Sequence, residues 1–175
     1  MASNARATPV ALTRAILVGG AALTGAAAWL VTDRRPRPAG IAGGAAAVLL
    51  LLGGHRANHG TGGPTDRMLD ALLDRVWDGA LLGAIAWAAR DAKPAVAGAA
   101  LVALGTSFLS SYIRARGASL GYSVEESHIT RSLRYGLVVL GLLSSSPFWP
   151  IAASALVATL AVAVRSTQVL KEERV

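Results

Sequence analysis

Four aspartates recur at intervals of four residues in the stretch GPTDRMLDALLDRVWDGALL, residues 63–82. On an α-helix, residues four apart lie on one face, about 6 Å apart along the axis, so these carboxylates would form one ridge. Carboxylates beside a membrane-length apolar segment can be held by a divalent cation or neutralised by neighbouring cations. Arg67 and Arg75 each precede an aspartate by three residues, so the sequence leaves both possibilities open. The members of this aspartate ridge are Asp66, Asp70, Asp74 and Asp78.

The composition is that of a membrane protein. Of 175 residues, 53% are apolar and 15% are charged, which is too apolar for an ordinary soluble domain of this length. The formal net charge is +7, but Lys and Arg are spread over short connections without an interleaved aromatic stripe, so we expect no nucleic-acid partner. The chain has no cysteine, which excludes disulfides, thiolate metal sites and cysteine nucleophiles.

Six apolar segments of helical length predict an all-α integral membrane bundle. A helix needs about 20 mostly apolar residues to cross the hydrocarbon core, and Pro- and Gly-rich stretches separate the segments. No connection is long enough for a second domain, so we expect a single membrane domain over residues 1–175. The predicted spans are approximately 11–32, 39–54, 66–89, 94–113, 132–145 and 148–167.

The positions of Lys and Arg predict which side of the membrane each connection faces. Twelve of them lie on the side that holds both termini, and five lie on the other side. Cytoplasmic loops carry the excess of basic residues, so both termini and the aspartate ridge are predicted to be cytoplasmic. The high Ala, Gly and Arg content is typical of a GC-rich bacterial source, and we expect a multi-pass protein of the bacterial inner membrane. The Gly-rich stretch GGHRANHGTGGP, residues 53–64, lacks the ending of a phosphate-binding P-loop and is predicted to be a flexible turn.

The segment LDALLDRVWDGALL resembles half of a family signature. CDP-alcohol phosphotransferases, six-helix membrane enzymes that make phospholipid head groups, carry D-x-x-D-G-x-x-A-R, eight further residues, then G-x-x-x-D-x-x-x-D. Asp70 and Asp74 fall on the third and fourth aspartates of that pattern. The stretches SSYIRARGASLG (110–121) and TRSLRYGLVVLGL (130–142) resemble two further family segments. The resemblance covers about residues 39–170.

The resemblance implies a reaction and a set of ligands. In the family, four aspartates hold two ions, Mg²⁺ or Mn²⁺, which clamp the pyrophosphate of a CDP-alcohol while the last aspartate activates the acceptor hydroxyl and CMP leaves. Asp70 would then be a metal ligand, and Asp74 both a metal ligand and the catalytic base. Gly53 keeps the signature glycine at the nucleotide-binding part, and the A-R pair appears in swapped order as Arg56-Ala57. The resemblance also implies a homodimer.

The first half of the signature has lost its carboxylates. Counting back from Asp74 places the first two aspartates at Leu49 and Leu52. No shift of register restores them, because the chain has no Asp or Glu between Asp33 and Asp66. Leucine offers no lone pair, so we expect divalent-metal binding to be weakened and the two-metal arrangement to be lost.

Two replacements for the missing ligands stay open on the sequence. Asp66, one turn before Asp70, could complete a one-metal site with Asp70 and Asp74. His55 lies near the end of the second span, and a neutral imidazole can bind a metal, although Mg²⁺ prefers oxygen ligands.

Four arginines flank the fourth connection. A guanidinium group donates two parallel hydrogen bonds to a phosphate, and the resemblance implies that basic residues here help to bind a phosphate-bearing acceptor. The alternative is that they fix the topology and contact anionic lipid head groups. They are Arg114, Arg116, Arg131 and Arg134.

The sequence thus supports two hypotheses about function. The first is a family member that has lost half of its metal site. It would bind membrane lipid or a CDP-linked nucleotide lipid, or serve as a partner to an active synthase, without running the two-metal reaction alone. The second is an active transferase with a rebuilt site, which takes CDP-diacylglycerol or a CDP-alcohol as donor and releases CMP.

Overall fold

Six helices make up the part of the chain that the structure describes. The computed structural model describes residues 4–60, 62–122 and 128–172, and it places side chains over residues 10–60, 62–122 and 129–170. The prediction of an all-α chain is confirmed over these residues. The helices are α1 (Asn4–Thr32), α2 (Pro36–His59), α3 (Pro64–Ala89), α4 (Pro94–Ser119), α5 (His128–Leu143) and α6 (Phe148–Glu172).

Proline and glycine set several of the helix boundaries. Pro36, Pro64 and Pro94 are the first residues of their helices, where the missing N–H has no intrahelical partner and the fixed φ suits the first turn. After α4, Gly121 has a φ of 90°, in the left-handed region that glycine enters without a steric penalty.

Helix α2 is longer than the sequence predicts. The stretch 53–59 was expected to be part of a flexible turn, but it is helical, and the Gly60 N–H still donates to the Arg56 carbonyl at 3.0 Å. That prediction was wrong for these residues because two adjacent glycines do not break a helix whose backbone hydrogen bonds continue. The extension beyond residue 54 adds about one and a half turns to the end of α2 that faces the start of α3.

Four of the described helices contain segments that are long and apolar enough to cross a membrane. Helix α3 is not among them, because its first half carries the aspartate ridge and is too polar. Helix α5 has 16 residues and spans about 24 Å, which is shorter than a hydrocarbon core of about 30 Å. The membrane character of the chain is therefore supported, whereas six complete spans remain a prediction. The four segments are Val10–Thr32, Pro36–His59, Pro94–Ser119 and Phe148–Leu170.

The helices group into two compact units, residues 1–84 and residues 85–175, with the boundary inside α3. In the first unit, α1 packs along α2 through glycines that face leucines. A Cβ on Gly20 would lie 2.9 Å from the Leu50 side chain, and one on Gly53 would lie 2.8 Å from Cγ of Leu17. Small residues let helix backbones approach closely, which is how helices associate in lipid. The prediction of a single domain stays a prediction.

In the second unit, α6 packs against both α4 and α5. Gly141 of α5 faces Ile151 of α6, and a Cβ on this glycine would lie 2.8 Å from Cδ1 of Ile151. The buried face of α4 is built mainly from small residues, among them Ala97, Ala100 and Ala103. Both units therefore use the same packing device, in which a small residue on one helix receives a large side chain from its neighbour.

We expect Gly20→Leu to destabilise the chain, because the new side chain would occupy the space that Leu50 fills. Overpacking of this kind costs about 1–3 kcal/mol, which lowers Tm by roughly 2–4 °C per kcal/mol for a protein of this size. The measurement is thermal unfolding of the purified chain in detergent. Gly25→Leu is the matched control, since Gly25 also lies on α1 but has open space around it. Equal Tm values for the two variants would contradict the packing described.

Candidate functional site

The aspartate ridge of α3 is buried. Asp66 and Asp78 have 1% and 0% of their surface exposed, and Asp70 and Asp74 have 5% each. A charged carboxylate removed from water is costly unless it is paired, hydrogen-bonded or bound to a metal. The ridge therefore raises the question of what neutralises each of its members.

Arg14 of α1 neutralises Asp66, which lies in the first turn of α3 outside the four apolar segments. The Arg14 Nε donates to Oδ1 of Asp66 at 2.7 Å, and the Gly63 N–H donates to Oδ2 at 2.9 Å. The hydrogen bond from the Arg14 guanidinium, helped by the Gly63 N–H, holds the pKa of Asp66 below its ordinary value, and this outweighs the raising effect of burial. An acidic side chain in the first turn also interacts favourably with the helix dipole.

Asp70 is accommodated by Gly54 and Asn58 of α2. The Asn58 side-chain amide donates to Oδ2 of Asp70 at 3.2 Å and to the Gly54 carbonyl at 2.8 Å. A Cβ on Gly54 would lie 2.8 Å from Cγ of Asp70, so the carboxyl group rests directly on the α2 backbone. The α2 residues opposite this carboxylate are thus a glycine and an asparagine, and neither carries a negative charge.

Arg75 links the last two members of the ridge. Its guanidinium group forms ion pairs with Asp74, the preceding residue, and with Oδ2 of Asp78 at 3.5 Å. The Arg75 side chain is 19% exposed, so the cation sits largely within the protein. The pairing of Arg75 with Asp78 is the local neutralisation that the spacing of these residues allows.

Leu49 and Leu52, which fall on the first two aspartates of the signature, do not lie on the face of α2 that meets Asp70. At about 100° per residue, Leu49 and Leu52 lie roughly 140–160° around the helix from Gly54. Leu52 is 53% exposed, and Leu49 packs against Gly19 of α1. The two leucines therefore do not stand directly opposite Asp70, and their assignment to the first two signature positions remains a prediction. The conclusion that α2 supplies no carboxylate holds in every register.

Gly53 and Arg56, predicted to belong to a nucleotide site, both contact α1. Gly53 packs under Leu17, and the Arg56 Nε donates to the Thr13 hydroxyl at 3.4 Å. His55 is exposed, and its ring lies 5.0 Å from that of His59 one turn later. These contacts give the three predicted residues structural partners, and their binding roles remain predictions.

The spacing of the ridge limits how it could hold a metal. Asp66 and Asp74 are eight residues apart on α3, about 12 Å along the axis, whereas metal–oxygen bonds are about 2.0–2.6 Å long. Among residues 4–60, 62–122 and 128–172, no three His, Cys, Asp or Glu side chains lie close enough to share an ion. The one-metal site of Asp66, Asp70 and Asp74 remains a prediction.

The predicted phosphate-binding arginines differ in their surroundings. Arg131 and Arg134 of α5 are buried, with 6% and 5% of their surface exposed, and the Arg131 guanidinium lies 5.6 Å from the centre of the Tyr135 ring. On α4, Arg114 is half-buried and Arg116 is exposed. Residues two positions apart on a helix differ by about 200° in direction, so these two arginines lie on different faces of α4.

Two arginines that the sequence reasoning used only for topology have specific partners. Arg14 pairs with Asp66, as described above, and Arg165 of α6 donates to the carbonyl of Ser110 at 3.1 Å and also to its hydroxyl. In the sequence, both could have been recognised as charged residues inside an otherwise apolar segment, because such residues are rare in membrane helices and mark a specific interaction.

Two curated proteins resemble the chain in sequence. The phosphatidylinositol phosphate synthase of Corynebacterium glutamicum is 40% identical over 77 residues, which make up 42% of this chain and 35% of that protein. The phosphatidylinositol phosphate synthase of Mycolicibacterium smegmatis is 34% identical over 124 residues, which make up 69% of this chain and 56% of that protein. The chain thus matches only about a third to a little over half of the length of these relatives.

The sequence match and the predicted signature agree on one family. The chain is homologous to phosphatidylinositol phosphate synthases, which are members of the CDP-alcohol phosphotransferase family. No protein-family model matches the chain.

Solved structures of a CDP-alcohol phosphotransferase share the fold. Mycobacterium tuberculosis phosphatidylinositol phosphate synthase in complex with manganese and citrate matches with a TM-score of 0.77 and 22% identity, over 93% of this chain and 88% of that chain. The same enzyme with CDP-DAG bound matches with a TM-score of 0.75 and 24% identity, over 90% of this chain and 85% of that chain. These matches establish the all-helical architecture of the family for this chain.

Gly54→Ala should destabilise the chain, because the added Cβ would overlap the Asp70 carboxyl group. Glycine to alanine inside a helix otherwise stabilises by about 1 kcal/mol. The expected change in stability is therefore opposite to the one that helix propensity predicts, and Tm should fall by about 2–4 °C. The control is Gly83→Ala on α3, where nothing lies within 4 Å of the new Cβ, and this variant should match or exceed the wild-type Tm. A Gly54→Ala variant as stable as Gly83→Ala would refute the contact.

Arg75→Gln should destabilise the chain by leaving two buried carboxylates without their shared cation. Removing one partner of a buried ion pair costs on the order of 3 kcal/mol. The double variant Arg75→Gln with Asp74→Asn should recover part of that loss, because one of the stranded charges is removed with the cation. A thermal or denaturant double-mutant cycle measures the coupling. Strictly additive effects of the two substitutions would show that the pair is not coupled.

Proposed function

We propose that this chain is a membrane protein of phospholipid metabolism that binds a CDP-linked lipid but does not carry out two-metal phospho-alcohol transfer by itself. The observation that carries the proposal is the internal neutralisation of the aspartate ridge. Arg14 and Arg75 supply cations to three of its four carboxylates, and Asn58 donates to the remaining one, Asp70. The protein itself thus supplies two positive charges and a neutral hydrogen-bond donor to carboxylates that metal ions would otherwise bind.

The donor set of the ridge does not suit a pair of divalent ions. A two-metal site needs carboxylates converging from more than one direction, so that both the attacking and the leaving oxygen are neutralised. Here every carboxylate of the ridge comes from one helix, and the facing residues of α2 are Gly54 and Asn58. We therefore derive no step through a metal, and we take binding of Mg²⁺ or Mn²⁺ to be weakened.

The proposed ligand is suggested by the relatives. A structural neighbour holds CDP-DAG, and the two sequence relatives are phosphatidylinositol phosphate synthases. Guanidinium groups bind phosphates through paired hydrogen bonds, so we assign phosphate or head-group binding to the arginines of α4 and α5. A homodimer, or a complex with an active synthase, would let a partner supply the catalytic step. The assigned residues are Arg114, Arg116, Arg131 and Arg134.

The proposal includes a topology. We infer six membrane-crossing segments, with both termini and the aspartate ridge on the cytoplasmic side of the bacterial inner membrane. The four strongly apolar helices and the excess of basic residues on one side support this arrangement. The two weaker segments, α3 and α5, would cross only within a bundle that shields their polar residues from lipid.

Sequence identity of 34–40% to phosphatidylinositol phosphate synthases favours a second candidate, an active transferase. In that case Asp70 would be a ligand, Asp74 the base, and Asp66 a replacement ligand. The ion pair between Arg75 and Asp74 weighs against this candidate, because the guanidinium group occupies a carboxylate oxygen that a catalytic base would need for the acceptor hydroxyl.

A CMP-release assay separates the two candidates. The purified full chain is supplied with CDP-diacylglycerol, Mn²⁺ or Mg²⁺, and a panel of alcohols and their phosphates. We expect CMP release no faster than that of the Asp74→Asn variant, with Asp91→Asn, an exposed carboxylate outside the ridge, as control. Binding of CDP-diacylglycerol, followed as a rise in Tm, should persist in a chelator. Turnover that Asp74→Asn abolishes and Asp91→Asn preserves would establish the active candidate instead.

A further inference from the structure

A groove in the second unit contains Arg116, and what we infer for it deepens, and rests on, the head-group binding proposed for that arginine. The groove has a volume of about 320 Å³, which is at the lower end of the range for small-molecule sites. It runs between the last two turns of α4 and the last turns of α6, and the residue after the end of α4 closes it. The residues that matter for its character are Tyr112, Arg116, Leu120, Tyr122, Val169 and Leu170.

The groove lies where two apolar segments end. The segment of α4 that is apolar enough to cross a membrane is Pro94–Ser119, and that of α6 is Phe148–Leu170. Groove residues occupy the C-terminal turns of both, so the groove sits at the level where a membrane span meets water. Tyrosine is enriched at this level because its ring prefers the apolar side and its hydroxyl the polar side, and Tyr112 is 65% exposed beside the groove.

The lining of the groove is largely apolar, and its polar members are Tyr112, Tyr122, Ser166 and one cation, Arg116. Leu120 and Leu170 are each 57% exposed, so the groove presents open hydrocarbon surface. Arg116 is exposed, and its guanidinium group makes no hydrogen bond or ion pair with any described residue. An apolar trough next to an available guanidinium group suits an amphiphile that has a hydrocarbon chain and an anionic head.

We infer that this groove binds an anionic phospholipid of the surrounding leaflet, with an acyl chain along the α4–α6 trough and the head-group phosphate on Arg116. The buried arginines of α5 do not line this groove. An arginine near an anionic surface strengthens lipid binding about fivefold, and open leucine surface binds the chain by burial of apolar area.

A second copy of the chain is a poorer occupant of the groove. The described lining contains no carboxylate that could pair with Arg116. A two-fold contact centred on the groove would therefore bring two arginines together, which costs energy. An anionic lipid removes this conflict because it supplies the missing negative charge.

The test uses the full chain in nanodiscs of phosphatidylcholine with rising fractions of phosphatidylglycerol, read out by Tm and by native mass spectrometry of retained lipid. The wild type should gain Tm and retain phosphatidylglycerol. Arg116→Gln should bind it about fivefold more weakly. Val169→Trp, which fills the trough, should lose retained lipid without changing the charge. Arg37→Gln, which removes an exposed arginine outside the second unit, is the matched control and should behave as wild type.

Several outcomes would overturn the inference. One is a Tm gain that is the same in pure phosphatidylcholine. Another is equal losses in Arg116→Gln and Arg37→Gln, which would indicate a general charge effect. A third is loss of a dimer, rather than of lipid, in Val169→Trp, which would make the groove an interface between copies. Since Arg116 is exposed, its variant tests the inference even if Val169→Trp fails to fold.

Discussion

Four carboxylates are buried on one face of α3, and the polar contacts of the first unit supply partners to them. Arg14 reaches from α1 to Asp66, Asn58 reaches from α2 to Asp70, and Arg75 lies between the last two aspartates of the ridge. Isolated charges out of water cost several kcal/mol each, so the ridge can persist only where such partners are positioned. The polar contacts that α1 and α2 make with α3 are therefore a consequence of the charges that α3 carries.

The second helix contributes space to this arrangement and no charge. Gly54 lets the Asp70 carboxyl group approach the α2 backbone, and the continuation of α2 to His59 brings Asn58 into reach. Glycine elsewhere on the same helix serves packing, since Gly53 receives Leu17 from α1. A helix that supplied carboxylates at this place would need cations of its own to balance them. The loss of acidic residues from α2 and the presence of internal cations around α3 are thus two parts of one charge balance.

The arginines of the second unit differ from one another in burial and in their partners. Arg131 and Arg134 are buried on α5, and Arg165 is tied to Ser110 across α4 and α6, whereas Arg116 stays at the surface next to open leucine side chains. Buried guanidinium groups in a membrane protein are expensive and mark specific partners or ligands. Exposed ones at the end of a span contact head groups. The same residue type can therefore serve an internal site and the lipid surface within one short stretch of chain.

Composition and periodicity by themselves determined much of this protein. The apolar fraction predicted the membrane, the breakers predicted six helices, and the resemblance of LDALLDRVWDGALL to a known signature indicated the family, because these properties depend on neighbours along the chain. The sequence could not tell which face of α2 meets α3, where the residues that contact Asp70 are Gly54 and Asn58. Nor could it pair Arg14 with Asp66, 52 residues away. Those outcomes depend on how helices rotate and slide when their side chains interlock, and only the tertiary packing decided them.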